Sequence, residues 1–265
     1  DLQRGETGRK VAVLQHVVPP GPTFKDHFST QSAGYARHRP HYPAALFAYL
    51  AGLGGKRLAW DCATGNGQAA LALAAYFERV VATDASRAQI DAATEHPAVR
   101  YRVATAEESG LDDDSADLVT VAQALHWFDT ERFFAEASRV LVPGGVVAAW
   151  CYELCTVSPR CDAVVRRLYG DIVGPFWPQE RRLIEQGYAG IEFPGTALSP
   201  PAFEMKMPWT VDDMLGYLRT WSSCQRYERE HGEDPVDLVE DELRRAWGAA
   251  PRTVRWPLTV RVSRL

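Results

Sequence analysis

The sequence predicts a doubly wound α/β fold, in which a mostly parallel sheet carries helices on both faces. Short apolar segments between residues 58 and 150 alternate with helical patterns about ten residues long, which is typical of βαβ units. The first of these segments runs into a glycine-rich turn. The last third of the chain changes to helical patterns and a closing strand, with no room for a second βαβ half. These observations indicate one sheet with an added helical region.

Proline positions divide the chain into a tail and one domain. Residues 1–23 end in Pro19-Pro20-Gly21-Pro22 and are predicted to be a flexible tail, while residues 24–265 form a single domain. The predicted parts of that domain are a helical N-terminal lid at 24–55, a core at 56–150, and helices with a closing strand pair at 151–265.

The predicted elements follow from local patterns. Before the core, a short helix fits 26–31, and a second helix starts at Ala44 and stops at Gly54-Gly55. Ser86 is the expected N-cap of one core helix. The predicted core strands are 58–61, 80–84, 99–103, 116–122 and 146–150, and the core helices are 68–77, 87–95 and 130–141. The later elements are helices at 162–173, 179–187, 211–221 and 236–247 and strands at 203–209 and 254–262.

The composition excludes several classes of protein. Lys and Arg number 29 against 34 Asp and Glu, which gives a net charge of −5, and 46% of the residues are hydrophobic. This is a globular composition, and it lacks the positive surplus that non-specific nucleic-acid binding needs. The longest apolar stretch, 140–152, is interrupted by Pro143 and is shorter than the roughly 20 residues that span a bilayer. We therefore expect no nucleic-acid partner and no membrane association.

Cysteine usage indicates the compartment. The chain has five cysteines, an odd number, and its charged N-terminus does not read as a secretory signal. Reduced thiols in a cytoplasmic protein are the expected state. Cys151, Cys155 and Cys161 are closely spaced, but no further His or Cys pair completes a zinc site at the usual spacing. We expect no metal.

Candidate site residues follow four of the predicted strands. Ligands of open parallel sheets bind at the carboxyl ends of the strands, where the strand order reverses. A glycine-rich turn follows the first strand, and its glycines allow close approach of backbone amides to a ligand. The residues after the four strands are Asp61 to Gly67, Asp84, Ala106-Glu107, and Gln123 with His126-Trp127.

Two cofactor classes fit this pattern. Gly65-x-Gly67-x-x-Ala70 with Asp84 satisfies the dinucleotide fingerprint of nicotinamide enzymes. The same residues suit S-adenosylmethionine, and three features favour it. Asp61 lies where a pyrophosphate would be repelled but an ammonium would be bound, Glu107 adds an acidic rim for a cationic cofactor, and the second mononucleotide half is missing. An oxidoreductase and a non-catalytic cofactor-binding module remain alternatives.

A set of motifs in fixed order carries a family resemblance. The motifs are Phe28-Ser29-x4-Gly34-Tyr35-x3-Arg39-Pro40-x-Tyr42-Pro43, Asp61-x-x-Thr64-Gly65-x-Gly67, Asp84-Ala85-Ser86, Ala106-Glu107, Asp117-Leu118-Val119-Thr120, Ala122-Gln123-Ala124-Leu125-His126-Trp127, Arg139-x3-Pro143-Gly144-Gly145 and Trp256-Pro257-Leu258. The chain resembles the class I S-adenosylmethionine-dependent methyltransferases over roughly residues 24–265, and most of all the branch similar to trans-aconitate methyltransferases. The resemblance implies a Rossmann-like, seven-stranded sheet. The family usually has glycine at the position of Ala63. Alanine is tolerated at this position if its φ angle is negative.

The resemblance also implies roles for the site residues. S-adenosyl-L-methionine is the implied cofactor, S-adenosyl-L-homocysteine is the product, and the methyl group goes to a small-molecule acceptor such as a carboxylic acid. The implied cofactor-binding residues are Tyr35, Arg39, Asp61, Ala63, Thr64, Gly65, Gly67, Asp84, Ala85, Ala106, Glu107 and Gln123.

The acceptor side is less defined by the sequence. His126 is either a general base or a residue that orders its loop, and a carboxylate or thiolate acceptor needs no base. Trp127, Trp177 and Trp221 are candidate acceptor-binding residues, although such aromatics also build cores. Arg166, Arg167, Arg181 and Arg182 are candidates for binding an acidic acceptor. The expected assembly is a monomer or a homodimer.

Overall fold

The computed structural model describes residues 40–265, and a central sheet of eight strands organises them. The strands are β1 Leu58–Cys62, β2 Arg79–Asp84, β3 Val99–Val103, β4 Ala116–Ala122, β5 Leu141–Tyr152, β6 Thr196–Leu198, β7 Phe203–Trp209 and β8 Arg252–Arg264. Their order is β3-β2-β1-β4-β5-β8-β6, and β7 pairs with the first half of β8. Strands β1 to β5 are parallel, whereas β8 is antiparallel to β5, β6 and β7. The predicted doubly wound fold is confirmed.

Nine α-helices accompany the sheet in the described chain. They are α1 Ala44–Ala51, α2 Gln68–Leu73, α3 Arg87–Asp91, α4 Thr130–Val140, α5 Pro159–Arg166, α6 Arg181–Glu185, α7 Val211–Arg219, α8 Ser222–His231 and α9 Asp237–Trp247. A 3-10 turn, Leu125–Trp127, follows β4, a π-helical turn, Arg167–Ile172, continues α5, and a second 3-10 turn is Gly174–Phe176. No helix within residues 40–265 is both long enough and apolar enough to cross a bilayer.

Two hydrophobic clusters cover the two faces of the sheet. Alternate residues of β1 belong to different clusters, with Ala59 in one and Trp60 in the other. Trp150 of β5 is fully buried in the first cluster and contacts Phe47 of α1 edge to face. Phe133 of α4 packs against Trp60 in the second cluster. The sheet is therefore buried on both faces, as parallel sheets generally are.

Several predicted boundaries are wrong. The core helices end at Leu73 and Asp91, earlier than predicted, and β5 begins at Leu141 rather than at residue 146. The Pro143-Gly144-Gly145 segment ends the preceding helix but does not interrupt β5. The Gly144 amide donates to the Leu265 carbonyl at 2.7 Å, and the Leu265 amide donates to the Gly145 carbonyl at 3.0 Å, which extends the strand pairing.

Two elements were not predicted, β6 and α8. Helix α8 is mostly polar, and only Ser223 and Cys224 are fully buried, so its apolar stripe is too narrow to show as a helical pattern. The short strand β6 pairs with the end of β8 and gives the sheet an eighth strand. The predicted tail 1–23, the predicted helix 26–31, Tyr35 and Arg39 all lie outside the described residues.

Candidate functional site

Buried polar side chains gather at the carboxyl ends of β1, β2 and β4. Neighbouring parallel strands end at the same edge of a sheet, and Asp61 of β1 lies beside Thr120 of β4 in the strand register. Buried polar groups need hydrogen-bond partners, so a cluster of them in one place indicates a candidate functional site. The members of this polar cluster are Asp61, Thr64, Thr83, Asp84, Ser86, Thr120 and His126.

Asp61 is fully buried at the base of this cluster. Its Oδ2 accepts a hydrogen bond from the Thr64 hydroxyl at 2.5 Å, and its Oδ1 accepts one from the Thr120 hydroxyl at 2.8 Å. Burial raises the pKa of Asp61 from 3.8 to about 6, although both hydroxyls act in the opposite direction. Thr64 belongs to the glycine turn, so its hydrogen bond joins the Asp61 carboxyl group to that turn.

The raised pKa of Asp61 has a consequence for stability. Between about pH 4 and pH 6 the unfolded chain releases this proton and the folded protein retains it, so the Asp61 contribution to the free energy of unfolding falls by about 3 kcal/mol as the pH rises. We expect urea unfolding from pH 4 to 8 to show that the stability of the native protein falls relative to Asp61→Asn over this interval. The exposed Asp91→Asn change serves as a control. Parallel stability curves for the native protein and Asp61→Asn would contradict the expectation.

Asp84, at the end of β2, holds the glycine turn and the start of the next helix. Its Oδ2 accepts a hydrogen bond from the Gly65 amide at 2.8 Å, and its Oδ1 accepts one from the Ser86 amide at 2.8 Å. The Ser86 hydroxyl in turn accepts from the Gln89 amide and caps α3, as predicted. A carboxylate oxygen has more than one lone pair, so each Asp84 oxygen is able to accept more than one hydrogen bond.

The glycine turn is held in an unusual backbone conformation. Ala63, Gly65 and Gly67 have φ angles of 53°, 57° and 90°. The expectation that Ala63 has a negative φ is wrong, and a left-handed Ala costs about 1–2 kcal/mol relative to the right-handed form. Because such strain persists where surrounding structure imposes it, the turn fits a ligand-binding role. Within residues 40–265, a Cβ added at Gly65 would meet the Gln89 side chain at 3.8 Å and no other atom within 4 Å.

Ala85, Ala106 and Glu107 lie around the same edge. Ala85 is half-buried beside Asp84, and Ala106 is buried. Glu107 is half-buried, and its Oε1 accepts a hydrogen bond from the Asp129 amide at 3.2 Å, just before α4. Asp84 is the last residue of β2, and Glu107 lies in the loop after the neighbouring strand β3, so the two carboxylates follow adjacent strands.

Gln123 ends β4 with a left-handed φ of 57°. Its side-chain amide pairs with the backbone of Tyr152: Oε1 accepts from the Tyr152 amide at 2.9 Å, and Nε2 donates to the Tyr152 carbonyl at 3.2 Å. This pairing joins the ends of β4 and β5. Ala63 and Gln123 both have a positive φ. Non-glycine residues with positive φ are uncommon and cluster at functional sites.

His126 lies in the turn after β4 and is 7% exposed. Its Nδ1 is 3.3 Å from the Tyr188 hydroxyl, and the two rings stack with centroids 6.3 Å apart. Burial, with a smaller contribution from the charge of Arg181, lowers the pKa of His126 to about 3. A neutral His126 bound to Tyr188 fits the loop-ordering interpretation better than the general-base interpretation, because such a weakly basic ring accepts a proton poorly.

The predicted acceptor-side tryptophans divide into two places. Trp127 packs against His126, with ring centroids 4.6 Å apart, and belongs to the second hydrophobic cluster. Trp177 and Trp221 contact each other at 5.6 Å in the first cluster, and both contact Tyr169. The structure therefore brings Trp177 and Trp221 together and places Trp127 with His126.

Sequence reasoning missed two supporting residues of this site. Thr120, which donates a hydrogen bond to Asp61, could have been recognised as a polar residue between the apolar Val119 and Val121 of β4. Tyr188 gave no such indication, because it follows a short helix and holds a left-handed φ of 59° that only the folded structure reveals. Its phenol supports the turn at Leu125 and His126.

The cysteines form no metal centre within residues 40–265. All five are buried free thiols, and the described chain contains no group of three or more His, Cys, Asp or Glu side chains that could hold an ion. Burial raises the pKa of Cys151 to about 12 and that of Cys155 to about 12. These thiols are therefore protonated at neutral pH and unreactive.

Comparison with known proteins finds a family model and relatives that are all described as methyltransferases. A family model described as a methyltransferase domain matches residues 60–149. A methyltransferase-named protein of Dictyostelium discoideum is 32% identical over 235 residues, covering 87% of this chain and 89% of its own. The CRG1 protein of Saccharomyces cerevisiae, named as an S-adenosylmethionine-dependent methyltransferase, is 30% identical and covers 81% of this chain and 87% of its own.

A solved structure agrees with these relatives. The structure of a protein described as a type II methyltransferase from Anaeromyxobacter dehalogenans is similar, with a TM-score of 0.81 and 46% identity. The match covers 85% of this chain and 97% of that one. The likeness therefore extends well beyond residues 60–149 that the family model matches.

Proposed function

The chain belongs to the class I S-adenosylmethionine-dependent methyltransferases, and from that premise we propose that it transfers the methyl group to a small-molecule nucleophile, with a carboxylic acid as the acceptor class. The family uses S-adenosylmethionine and leaves S-adenosylhomocysteine as product. This membership decides against the nicotinamide-dependent oxidoreductase that the glycine fingerprint left open, and the protein is an enzyme. The carboxylic acid is suggested by the resemblance to the trans-aconitate branch.

The observation that carries the cofactor assignment is the hydrogen bond between Asp84 and the Gly65 amide. It fixes an acidic side chain against the glycine turn at the carboxyl edge of the sheet, where ligands of such folds bind. Asp84 holds the ribose hydroxyls, and Gly65, Gly67 and Ala63 line the methionine part through their backbone. Asp61, which accepts a hydrogen bond from Thr64, would offer negative charge to the ammonium group. Ala85, Ala106 and Glu107 would bind the adenine, and Gln123 would contact the methionyl end. Tyr35 and Arg39, which lie outside the described residues, are proposed to bind the cofactor as well.

When bound, S-adenosylmethionine supplies an electrophilic methyl group that a nucleophile attacks in line. The residues of this chain orient the reactants and exclude water, which is the main contribution of a protein to such a transfer. A carboxylate acceptor is already ionised, so no proton needs to be removed. His126 is accordingly a positioning residue, which holds the turn after β4 through Tyr188. We propose that the reaction needs no metal, no nucleic acid and no membrane.

His126 is expected to stay neutral throughout the physiological range. Because its pKa is lowered to about 3, the imidazole resonance that disappears in His126→Gln is expected to show no titration between pH 5 and 8 in histidine-labelled protein by NMR. Tyr188→Phe removes the hydroxyl that His126 contacts and serves as the matched variant. A titration of this resonance near pH 6.5 would restore the general-base interpretation.

The proposed function is tested by binding and by turnover. Isothermal titration is expected to show binding of S-adenosylmethionine and no binding of NADH. A screen that begins with small carboxylic acids, read out by the S-adenosylhomocysteine formed, is expected to identify the acceptor class. Binding of S-adenosylmethionine without turnover of any acid, together with turnover of amines or thiols, would overturn the carboxylic-acid proposal and leave the family assignment intact.

A further inference from the structure

Arg181 lies between the Trp127–His126 pair and the Trp177–Trp221 pair of candidate acceptor-side residues. It is the first residue of α6, a helix that packs against the 3-10 turn containing His126. Its guanidinium carbon is 4.7 Å from the ring centroid of Trp177 and 5.5 Å from that of Tyr169. Its Nε donates a hydrogen bond to the Tyr169 hydroxyl at 3.1 Å. The planar cation is thus fixed in place by two aromatic rings.

The charge of Arg181 has no counter-ion within residues 40–265. Other arginines of this region are paired, such as Arg167 with Glu242 and Arg219 with Asp234, whereas Arg181 forms no ion pair in the described chain. The nearby Glu185 accepts a hydrogen bond from the Tyr169 hydroxyl instead. The two terminal nitrogens of Arg181 make no hydrogen bond within the described chain. A half-buried cation with free donors is costly to desolvate unless a ligand supplies the missing acceptors.

The electrostatic influence of Arg181 reaches the carboxyl end of the sheet. Its charge contributes to the lowered pKa of His126, after burial, and opposes the rise in the pKa of Cys151, near the end of β5. The guanidinium therefore acts on residues that follow both β4 and β5. Of the four arginines that the sequence offered for an acidic acceptor, Arg166 and Arg182 are exposed, and Arg167 is paired with Glu242.

We propose that Arg181 binds an anionic group of the acceptor and so determines its class. The proposal rests on the proposed methyl transfer to a small molecule. A carboxylate accepts two parallel hydrogen bonds from a guanidinium fork, which the two terminal nitrogens of Arg181, unpaired within residues 40–265, are able to donate. An ion pair draws electron density away from the bound oxygens, so the group that Arg181 holds differs from the atom that is methylated. The acceptor therefore carries an anionic group in addition to its nucleophile, and Arg181 is a specificity-determining residue.

Acid and amide pairs provide the test, since each pair differs mainly in charge. The probes are benzoate, phenylacetate and succinate with the corresponding amides, titrated calorimetrically into protein saturated with S-adenosylhomocysteine. At least one acid is expected to bind about tenfold more tightly than its amide, a difference that Arg181→Gln reduces to about twofold or less. Arg182→Gln, an exposed neighbour with the same change in charge, is expected to preserve the preference. Arg181→Lys, which retains the charge without the fork, is expected to give an intermediate preference.

The possible failures are distinguishable. If S-adenosylhomocysteine binds but no acid is preferred to its amide, or if the preference survives in Arg181→Gln, the role of Arg181 is overturned and the methyltransferase assignment stands. If neither S-adenosylmethionine nor S-adenosylhomocysteine binds to the native protein, the proposed function itself fails. A purely structural role for Arg181 would lower the melting temperature of Arg181→Gln without changing the ratio of acid to amide affinity, and that result also overturns the proposal.

Discussion

Replacing Asp84 with alanine is expected to weaken binding of S-adenosylmethionine by about 100-fold or more. The carboxylate accepts hydrogen bonds from the Gly65 and Ser86 amides, both at 2.8 Å, so its removal leaves two backbone donors without this acceptor. Hydrogen bonds to charged groups contribute about 1.5–3 kcal/mol each, and a 100-fold change corresponds to about 2.8 kcal/mol. The loss combines release of the glycine turn with loss of the proposed contact to the ribose. Isothermal titration measures it directly.

Two further variants serve as a control and as an intermediate case for the Asp84→Ala experiment. Asp91→Ala removes an aspartate whose side chain is 59% exposed and pairs with Arg87 on α3, so S-adenosylmethionine should bind this variant as it binds the native protein. Asp84→Asn retains one acceptor oxygen but presents an amide donor to the other backbone amide. We expect its affinity to lie between those of the native protein and Asp84→Ala. An Asp84→Ala protein that is folded by circular dichroism and binds within threefold of native would refute the role assigned to Asp84.

The second large effect is expected at Gly67, where a side chain has no space. An added Cβ would lie 2.3 Å from the Tyr101 hydroxyl and 3.0 Å from two carbons of its ring. The φ of Gly67 is 90°, so alanine is also strained in its backbone. We expect Gly67→Ala to lower the free energy of unfolding by about 2–4 kcal/mol, since about 1–2 kcal/mol comes from the left-handed backbone and the rest from displacing Tyr101. Urea unfolding measures the change.

A matched glycine separates the two causes. Gly110 has a φ of 68°, but an added Cβ there would meet no atom of residues 40–265 within 4 Å. Gly110→Ala therefore carries the backbone strain alone, and we expect it to cost about 1 kcal/mol. The difference between the two alanine variants is the steric contribution of Tyr101. Equal losses in the two variants would show that Tyr101 moves aside without cost. We also expect Gly67→Ala, and not Gly110→Ala, to weaken binding of S-adenosylmethionine, because Gly67 belongs to the turn held by Asp84.

Local patterns predicted the core strands well because apolar runs bounded by turn residues depend on few neighbours. Strands β3, β4 and β7 have the predicted bounds. The patterns failed where pairing partners far along the chain decide the conformation. Gly144 and Gly145 belong to β5 only because the C-terminal residue Leu265 hydrogen-bonds to both, and a glycine pair after a proline otherwise predicts a turn.

The sequence by itself determined the family, the doubly wound sheet, and the order in which acidic and glycine residues follow its strands, because motif spacing and hydrophobic period are local properties. Only the tertiary structure decided how those residues are used. It showed that Asp61 is buried between two threonine hydroxyls, that Ala63 is left-handed, and that His126 is bound to Tyr188. It also distinguished Arg181 from the other three candidate arginines, since Arg181 is half-buried and forms no ion pair within residues 40–265, whereas the other three are exposed. Such properties depend on contacts, which sequence spacing does not encode.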